Sequence, residues 1–283
     1  MNKLLVICGP TATGKTALAV SLAKRLHGEL ISADSRQVYR EMDIGTGKDR
    51  DEIDVPIWML DVVNPNEEFS VSHYSRLAHQ AIAEIIKNGK LPIVVGGTGL
   101  YIDSLLHNLD SIDIPPDYEL RKKLQQATVA ELQNMLPNIR MNNSDWNNPR
   151  RLIRRIEIER APKADLENKE KLDYYIAGLT APISYLFDRI NKRVDDRLKK
   201  GMKEEVLYLT KKYGIDIPAM SAIGYRSLDT WKSDEQHYAK RQLTWFKKNK
   251  NIHWFDITSN QFEENVTSDV LAWYTDIKNE HKI

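Results

Sequence analysis

The stretch that decides the fold reads Leu4-Leu5-Val6-Ile7-Cys8 and then Gly9-Pro10-Thr11-Ala12-Thr13-Gly14-Lys15-Thr16. The second part fits the phosphate-loop pattern G-x-x-x-x-G-K-[ST], with an apolar strand before it and a helical apolar pattern after it. In such a loop the glycines let backbone N–H groups turn toward phosphate oxygens, the lysine adds a positive charge, and the final hydroxyl can ligate Mg²⁺. We therefore expect Thr16 to hold the metal. The phosphate ligand is expected to contact Gly9, Thr11, Ala12, Thr13, Gly14, Lys15 and Thr16.

Strand and helix patterns alternate through the N-terminal part of the chain. Short apolar runs predict strands at Glu29–Ala33, Pro56–Val63 and Leu91–Val95. Apolar residues at helical spacing predict helices at Thr16–Leu26 and Val71–Lys87, the second of which begins after a cap at Ser70 or Ser72. Alternation of this kind predicts a parallel sheet with helices on both faces.

The pattern changes in the middle of the chain. From Tyr118 to about Lys171 it is polar and helical, and then Tyr174–Leu179 predicts another strand, followed by Pro182 and a long helix to Lys200. We therefore predict an α/β protein with a P-loop NTPase-like parallel sheet core at 1–109 and 173–283. A helical insertion domain is predicted at 110–172, and the rest of the C-terminal part is expected to be largely helical.

Composition excludes several classes of protein. The only cysteine, Cys8, lies in the first apolar run, so an internal disulfide and a cysteine-rich zinc site are excluded. No run is long enough to span a membrane, and Met1-Asn2-Lys3 leads directly into the first strand, so we expect a cytoplasmic protein without a signal peptide. The formal net charge is +1, so a nucleic-acid surface would have to be local. No obligate protein partner is evident, and a monomer is expected.

Polar residues follow two of the predicted strands. Asp34-Ser35-Arg36-Gln37 comes after the second strand, and Gly96-Gly97-Thr98 follows the strand at Leu91–Val95. Ligands bind at the carboxyl ends of parallel strands, so Asp34 is expected near the phosphate loop, where it could bind Mg²⁺, cap a helix or act as a general base. A nucleotide kinase would have a strand ending in a magnesium-binding Asp, and here only Asp61 is a weak candidate.

Two helical stretches carry clustered basic residues. Arg150, Arg151, Arg154 and Arg155 fall within an arc of about 140° when plotted as a helix. Residues 238–250 contain five cations and no acidic residue. Each stretch could be an ordinary solvated face or a surface for nucleic-acid phosphates.

Together these segments resemble the tRNA dimethylallyltransferase (tRNA isopentenyltransferase) family. Gly9–Thr16, Asp34–Arg40 and Gly96–Tyr101 occur in the order and spacing of that family. Downstream, the later signatures of the family resemble Asn148–Arg151, Arg189-Ile190 with Arg193, Ile223–Arg226 and Tyr238–Phe246. The chain departs from the family pattern at Gly47, Asp49, Trp58 and Asp145–Asn148.

The resemblance implies transfer of a dimethylallyl group from dimethylallyl diphosphate to the N6 amine of adenosine 37 in the anticodon loop of tRNA. Asp34 would accept the amine proton, and Lys15, Thr16 with Mg²⁺, and Arg226 would stabilise the departing diphosphate. The anticodon stem-loop would be held by Asp34, Ser35, Arg36, Gln37, Thr98, Arg150, Arg151, Arg154, Lys240, Arg241 and Gln242.

Two other functions fit parts of the sequence. A prenyltransferase that uses free AMP could share the phosphate loop, although it would have little use for two basic helices. A nucleotide-dependent kinase could share the loop as well, but it should tolerate loss of the Asp34–Gln37 segment.

Overall fold

A computed structural model describes residues 2–50, 53–107, 114–161 and 172–276. The chain forms two compact units, the first made of Met1–His107 with Lys171–Ile283 and the second of Asn108–Glu170. The sequence-based prediction placed an insertion at 110–172.

The first unit is built on a parallel sheet. In sheet order the strands run β3-β2-β4-β1-β5-β6, and every neighbouring pair is parallel. This confirms the predicted α/β class. The strands are β1 (Lys3–Cys8), β2 (Gly28–Ser32), β3 (Ile57–Trp58), β4 (Leu91–Gly96), β5 (Asp173–Thr180) and β6 (Ile252–Asp256).

Helices cover both faces of this sheet. The helices before the second unit are α1 (Lys15–Leu26), α2 (Val71–Lys87) and α3 (Gly99–Leu106). Those of the second unit are α4 (Tyr118–Leu124), α5 (Val129–Asn134), α6 (Asn143–Trp146) and α7 (Pro149–Arg160). The remainder are α8 (Ile183–Lys199), α9 (Met202–Tyr213), α10 (Trp231–Phe246) and α11 (Phe262–Thr275), with a short 3-10 helix at Pro218–Ser221. One core lies between the sheet and α2 and α3, and a second lies under α1 and α11.

Helix α2 shows how local sequence fixes an element. Ser70 accepts a hydrogen bond from the His73 backbone while the His73 ring accepts one from the Ser70 N–H, a reciprocal cap that fixes the first turn. Tyr74, Ile82 and Ile85 are buried against the sheet. Burial of each such side chain contributes about 1.5–3 kcal/mol. The helix has the predicted bounds, and its cap is Ser70.

Two sequence predictions about strands were wrong. The predicted strand at Pro56–Val63 is reduced to β3 because Met59 and Asp61 take positive φ angles of 67° and 54°, which end an extended run. Strand β6 was not predicted, since the C-terminal part was expected to be helical. Its residues pair with β5 through long-range contacts that the local pattern does not reveal.

The loop after β2 is held by a third apolar core. Val38 and Met42 of this loop are buried with side chains of α8, α9 and α10. Within the same loop Lys48 is 2% exposed, and its Nζ donates to Tyr39 O at 2.6 Å and to Asp61 Oδ1 at 2.6 Å. The end of the loop is thereby fixed next to the strand ends.

The second unit is a small helical bundle around its own core. Leu132, Leu152 and Ile156 are buried at its centre. Side-chain caps at Thr128 and Asn148 fix the starts of α5 and α7. The predicted helical pattern extends to about Lys171, and residues 162–171 lie outside the described residues.

Two further predictions concern single features. Cys8 is completely buried in β1, as predicted, and burial raises the pKa of its thiol to about 12. Of the helices in the described residues, none combines the length and apolar character needed to cross a membrane.

Candidate active site at the strand ends of the first unit

A cavity of about 830 Å³ lies at the carboxyl ends of the strands, entirely within the first unit. The loop between β1 and α1, the segment after β2 and the end of β4 form part of its lining, as expected for an open parallel sheet. The basic residues in the lining are Lys15, Arg36, Lys48, Arg189, Arg193, Arg197, Arg226 and Arg241. The acidic ones are Asp34, Asp49, Asp234 and Glu235. The excess of positive charge suits an anionic ligand.

The phosphate loop has the backbone that its sequence predicts. Gly9 and Gly14 take φ angles of 136° and 83°, which glycine adopts without strain. A side chain at Gly9 would also clash with the carbonyl of Leu179 on β5. Gly14 precedes α1 and provides no side-chain cap, so the first N–H groups of α1 are left for a ligand.

Lys15 is the central cation of this loop. Its Nζ donates to Pro10 O at 2.6 Å, and burial, followed by the positive charge of Arg193, lowers its pKa to about 8. Asp34 raises that pKa in turn. A bound diphosphate would stabilise the protonated amine further, because it places negative charge beside it.

The three threonines of the loop take different positions. The Thr13 hydroxyl is buried and donates to Pro10 O at 2.9 Å, so it stiffens the loop. Thr11 Oγ1 accepts a hydrogen bond from Arg193 at 2.5 Å. Thr16 lies exposed in the first turn of α1 and lines the cavity, where its hydroxyl can reach a ligand.

Asp34 is positioned by one contact of its own and by one contact of its neighbour Ser35. Its Oδ1 accepts a hydrogen bond from the Arg36 N–H at 2.8 Å, and the next residue, Ser35, donates its N–H to Thr98 Oγ1 at 3.1 Å. Thr98 precedes α3, so the ends of β2 and β4 are tied together at this point. Asp34 also contributes, after burial, to a Tyr238 pKa raised to about 12, which is consistent with a carboxylate in the cavity.

Gln37 has a structural position that the sequence did not indicate. Its Oε1 accepts from Ser32 Oγ at 2.8 Å, and its Nε2 donates to the carbonyls of Thr46 and Gly47 at 3.3 and 3.0 Å. The side chain thus holds the loop after β2 to the strand end. Its predicted contact with tRNA would require these bonds to be exchanged.

Gln242 was predicted to contact tRNA, and the structure places its side chain in the interior. The residue is 5% exposed, accepts the Thr11 N–H at 2.8 Å and donates to Gly97 O at 2.9 Å. A Cβ on Gly97 would clash with this amide, so a glycine is needed there. The reason for the discrepancy is that a polar residue on an amphipathic helix can be buried when the neighbouring backbone offers it partners.

The neighbouring cations of α10 are exposed. Lys240 Nζ lies 5.1 Å from the ring centroid of Phe187, and Arg241 lies 5.6 Å from that of Tyr238. Arg241 lines the cavity, as does the exposed Arg226. The charged groups of Lys240 and Arg241 lie over aromatic rings, and both residues remain exposed.

Three arginines of α7 in the second unit form ion pairs with carboxylates, which the plot of basic residues did not indicate. Arg151 pairs with Asp145, Arg154 donates to Glu157 at 3.0 Å, and Arg155 pairs with Glu159 at 2.5 Å. The predicted apolar side of the helix is buried as expected. The pairings arise from acidic residues on the same unit that a plot of the arginines alone leaves out.

A row of arginines on α8 was given no place in the site by the sequence analysis. Arg189 Nε donates to Ala12 O at 2.7 Å, Arg193 donates to Thr11, and Arg197 donates to Gly45 O at 3.0 Å. Their spacing of four residues places them on one helical face. In the sequence, this four-residue spacing of arginines directly after a predicted strand could have indicated that they face the strand ends.

Strand β4 does not end in the magnesium-binding Asp that is expected of a nucleotide kinase. That strand runs into Gly96-Gly97, and Asp61 is engaged by Lys48 and Arg50. Within the described ranges no group of three or more His, Cys, Asp or Glu side chains could hold a metal ion. A metal in this cavity would therefore depend on its ligand for most of its coordination.

The fold and the cavity define an α/β protein with a phosphate loop and a carboxylate at the strand ends. The family model for IPP transferase matches residues 37–249, and that for isopentenyl transferase matches residues 2–54. The chain belongs to the IPP transferase family, which confirms the resemblance seen in the sequence.

Individual relatives support this assignment over nearly the whole chain. A tRNA dimethylallyltransferase of Acetivibrio thermocellus is 43% identical over 288 residues, covering 90% of this chain and 92% of the relative. The crystal structure of a tRNA isopentenylpyrophosphate transferase from Bacillus halodurans matches with a TM-score of 0.74 and 37% identity, covering 96% and 97% of the two chains. A eukaryotic dimethylallyltransferase acting on tRNA matches with a TM-score of 0.80 and 25% identity, covering 96% of this chain and 78% of the other.

Proposed function

We propose that this protein transfers a dimethylallyl group from dimethylallyl diphosphate to N6 of adenosine 37 in the anticodon loop of tRNA, releasing diphosphate. The observation that carries the proposal is the cavity of the first unit, in which a phosphate loop and Asp34 lie among an excess of cations. Family membership and relatives with this activity support it.

In the proposed reaction the diphosphate binds to the loop N–H groups, Lys15 and Arg226. The bond from C1 of the dimethylallyl group to the diphosphate oxygen breaks, and its electron pair goes to diphosphate. The N6 lone pair of adenine forms the new bond to C1, and the N6 proton passes to Asp34. Fixed cations that face the leaving oxygen lower the barrier because its negative charge grows as the bond breaks.

Mg²⁺ fits this site as a partner of the diphosphate. Thr16 would provide a hydroxyl ligand, and the Asp34 carboxylate lies in the same lining. Mg²⁺ usually keeps several waters and binds through few protein groups plus substrate phosphates, which agrees with the sparse donor set of the described residues. When bound, the ion would neutralise part of the diphosphate charge.

The tRNA is proposed to reach the cavity from its basic rim. Ser35, Arg36 and Thr98 are placed around Asp34, and Lys240 and Arg241 present exposed charges on α10. In the second unit Arg150 is exposed, whereas Arg151 and Arg154 would exchange their carboxylate partners for phosphates. Protein cations that replace condensed counterions give binding that weakens with salt.

The test is incubation of the purified protein and radiolabelled dimethylallyl diphosphate with tRNA, AMP or ATP. We expect label on tRNA alone, located at adenosine 37 by nuclease digestion, and no label on a stem-loop with guanosine at that position. Equal transfer to AMP would instead identify an adenylate prenyltransferase. Hydrolysis of ATP without prenyl transfer would identify a nucleotide-dependent enzyme.

A further inference from the structure

Two tyrosines line the cavity, and their hydroxyl groups have different surroundings. The Tyr225 hydroxyl donates to Glu205 Oε1 at 2.5 Å, so its hydrogen is used within the protein. The Tyr238 hydroxyl lies beside the hydroxyl of Thr98, whose Oγ1 accepts the Ser35 N–H at 3.1 Å. Tyr238 is therefore the cavity tyrosine that stands next to the segment that carries the candidate base.

Helix α10 holds Tyr238 at a fixed position in the cavity wall. One turn further along the helix, the buried Gln242 accepts the Thr11 N–H at 2.8 Å and donates to Gly97 O at 2.9 Å. The Arg241 guanidinium lies 5.6 Å from the centroid of the Tyr238 ring, which places a cation against the ring. A side chain that is already held in this way loses little conformational freedom when a substrate binds.

Electrostatic surroundings keep the Tyr238 hydroxyl a hydrogen-bond donor. Burial, followed by the negative charge of Asp34, raises the pKa of Tyr238 to about 12, and the Thr98 hydroxyl lowers that pKa in part. The phenol is therefore protonated at neutral pH, and a phenolic O–H can donate and accept at once. Because its oxygen can accept from Thr98, its own hydrogen remains available for a ligand in the cavity.

We propose that the Tyr238 hydroxyl donates a hydrogen bond to a ring nitrogen beside N6 of the target adenine, either N1 or N7. This inference rests on the proposed function, because it takes adenine as the base that reaches Asp34. An adenine that has left its stack presents N1 and N7 as acceptors on the two sides of the N6 amine. A hydrogen bond to either nitrogen draws electron density from the amine, so the N6 proton passes more readily to Asp34.

The alternative is that Tyr238 only braces Thr98, and through Thr98 the turn after β2. The two roles differ in how the effect of Tyr238→Phe depends on the substrate. Loss of a brace slows transfer to every substrate by the same factor. Loss of a direct hydrogen bond slows transfer only where the accepting nitrogen is present, so the effect disappears when a C–H group replaces that nitrogen.

The experiment measures single-turnover transfer of the dimethylallyl group to anticodon stem-loops with adenosine, 1-deazaadenosine or 7-deazaadenosine at the target position. We expect Tyr238→Phe to lower the rate constant with adenosine by about 3–10-fold, the effect of one neutral hydrogen bond. With one of the two deaza substrates, wild type and variant should react at the same rate within about twofold. The affinity for inorganic diphosphate should not change, and Tm should change little.

Tyr208→Phe is the matched control, because Tyr208 is exposed on α9 and does not line the cavity. It removes one hydroxyl and should leave the rate with each stem-loop unchanged. The inference would be overturned if Tyr238→Phe lost the same factor on all the stem-loops, or lost nothing with adenosine. If Tyr238→Phe does not fold, Tyr238→Leu is compared on the same substrates by the same criterion.

The same measurements separate this inference from the proposed function. Absence of transfer by the wild type to the adenosine stem-loop would contradict the proposed function itself. Normal transfer by the wild type, together with an unchanged rate in Tyr238→Phe, would contradict only the role of Tyr238.

Discussion

Replacing Gln242 by Glu should make the stability of this protein depend on pH in a way that reports on the phosphate loop. The Gln242 amide accepts from the Thr11 N–H and donates to the Gly97 carbonyl, at 2.8 and 2.9 Å, in a buried position. A protonated glutamic acid has the same shape and can make both bonds. An ionised one keeps the first bond but places a charged oxygen against the Gly97 carbonyl.

The size of the effect follows from these two contacts. Loss of one hydrogen bond, together with a buried carbonyl left without a donor, costs about 2–4 kcal/mol in the free energy of unfolding. The new carboxyl has a folded-state pKa above its unfolded value of about 4.3, because burial disfavours the charge. The variant should therefore approach wild-type stability below about pH 4.3 and lose stability as the pH rises through the folded pKa.

Urea unfolding of wild type and Gln242→Glu at several values between pH 4 and pH 8 measures this directly. Gln236→Glu is the matched control, because Gln236 lies on the same helix, is half-buried, and makes one side-chain bond to Asn191 at 2.9 Å. We expect it to change stability by less than about 1 kcal/mol, with little pH dependence. The reasoning would be refuted if Gln242→Glu did not lower the free energy of unfolding, or if it lowered it by the same amount at pH 4 and at pH 8.

Three further predictions concern the ligands. Because burial lowers the Lys15 pKa to about 8, loss of the lysine charge should lower the affinity for inorganic diphosphate above that pH by up to about tenfold per unit, as calorimetry between pH 7 and pH 9.5 would record. Asp34→Asn should lower single-turnover transfer by about 10²–10⁴-fold and change the tRNA Kd in filter binding far less, since it removes a base but keeps the shape. Arg150→Glu should weaken tRNA binding several-fold and reduce the salt slope by about 1, with no effect on diphosphate affinity.

Each of these predictions has a clear contrary result. Diphosphate affinity that stays flat through pH 9.5 would mean that the charge of Lys15 is not used. Loss of tRNA affinity with intact chemistry in Asp34→Asn would make Asp34 a positioning residue. An unchanged salt slope for Arg150→Glu, beside a reduced slope for Arg241→Glu, would limit the RNA surface to the first unit.

The sequence by itself determined the features that depend on neighbours along the chain. The phosphate loop, the helix that follows it and the capped helix at Val71–Lys87 are specified by glycines, caps and apolar spacing over short stretches. The same holds for the central strands, whose continuous apolar runs suit a sheet buried on both faces. Asp34 could be placed at a strand end because it directly follows the apolar run that predicts the second strand.

Tertiary structure alone decided which polar groups find partners. Gln242 is interior because the Thr11 and Gly97 backbones meet it from distant parts of the chain, and Arg193 reaches the loop because α8 lies beside it. Arg151 of α7 is paired because Asp145 of α6 comes close to it in space. Hydrogen bonds and ion pairs of this kind depend on approach within a few ångströms, which periodicity along a helix does not specify.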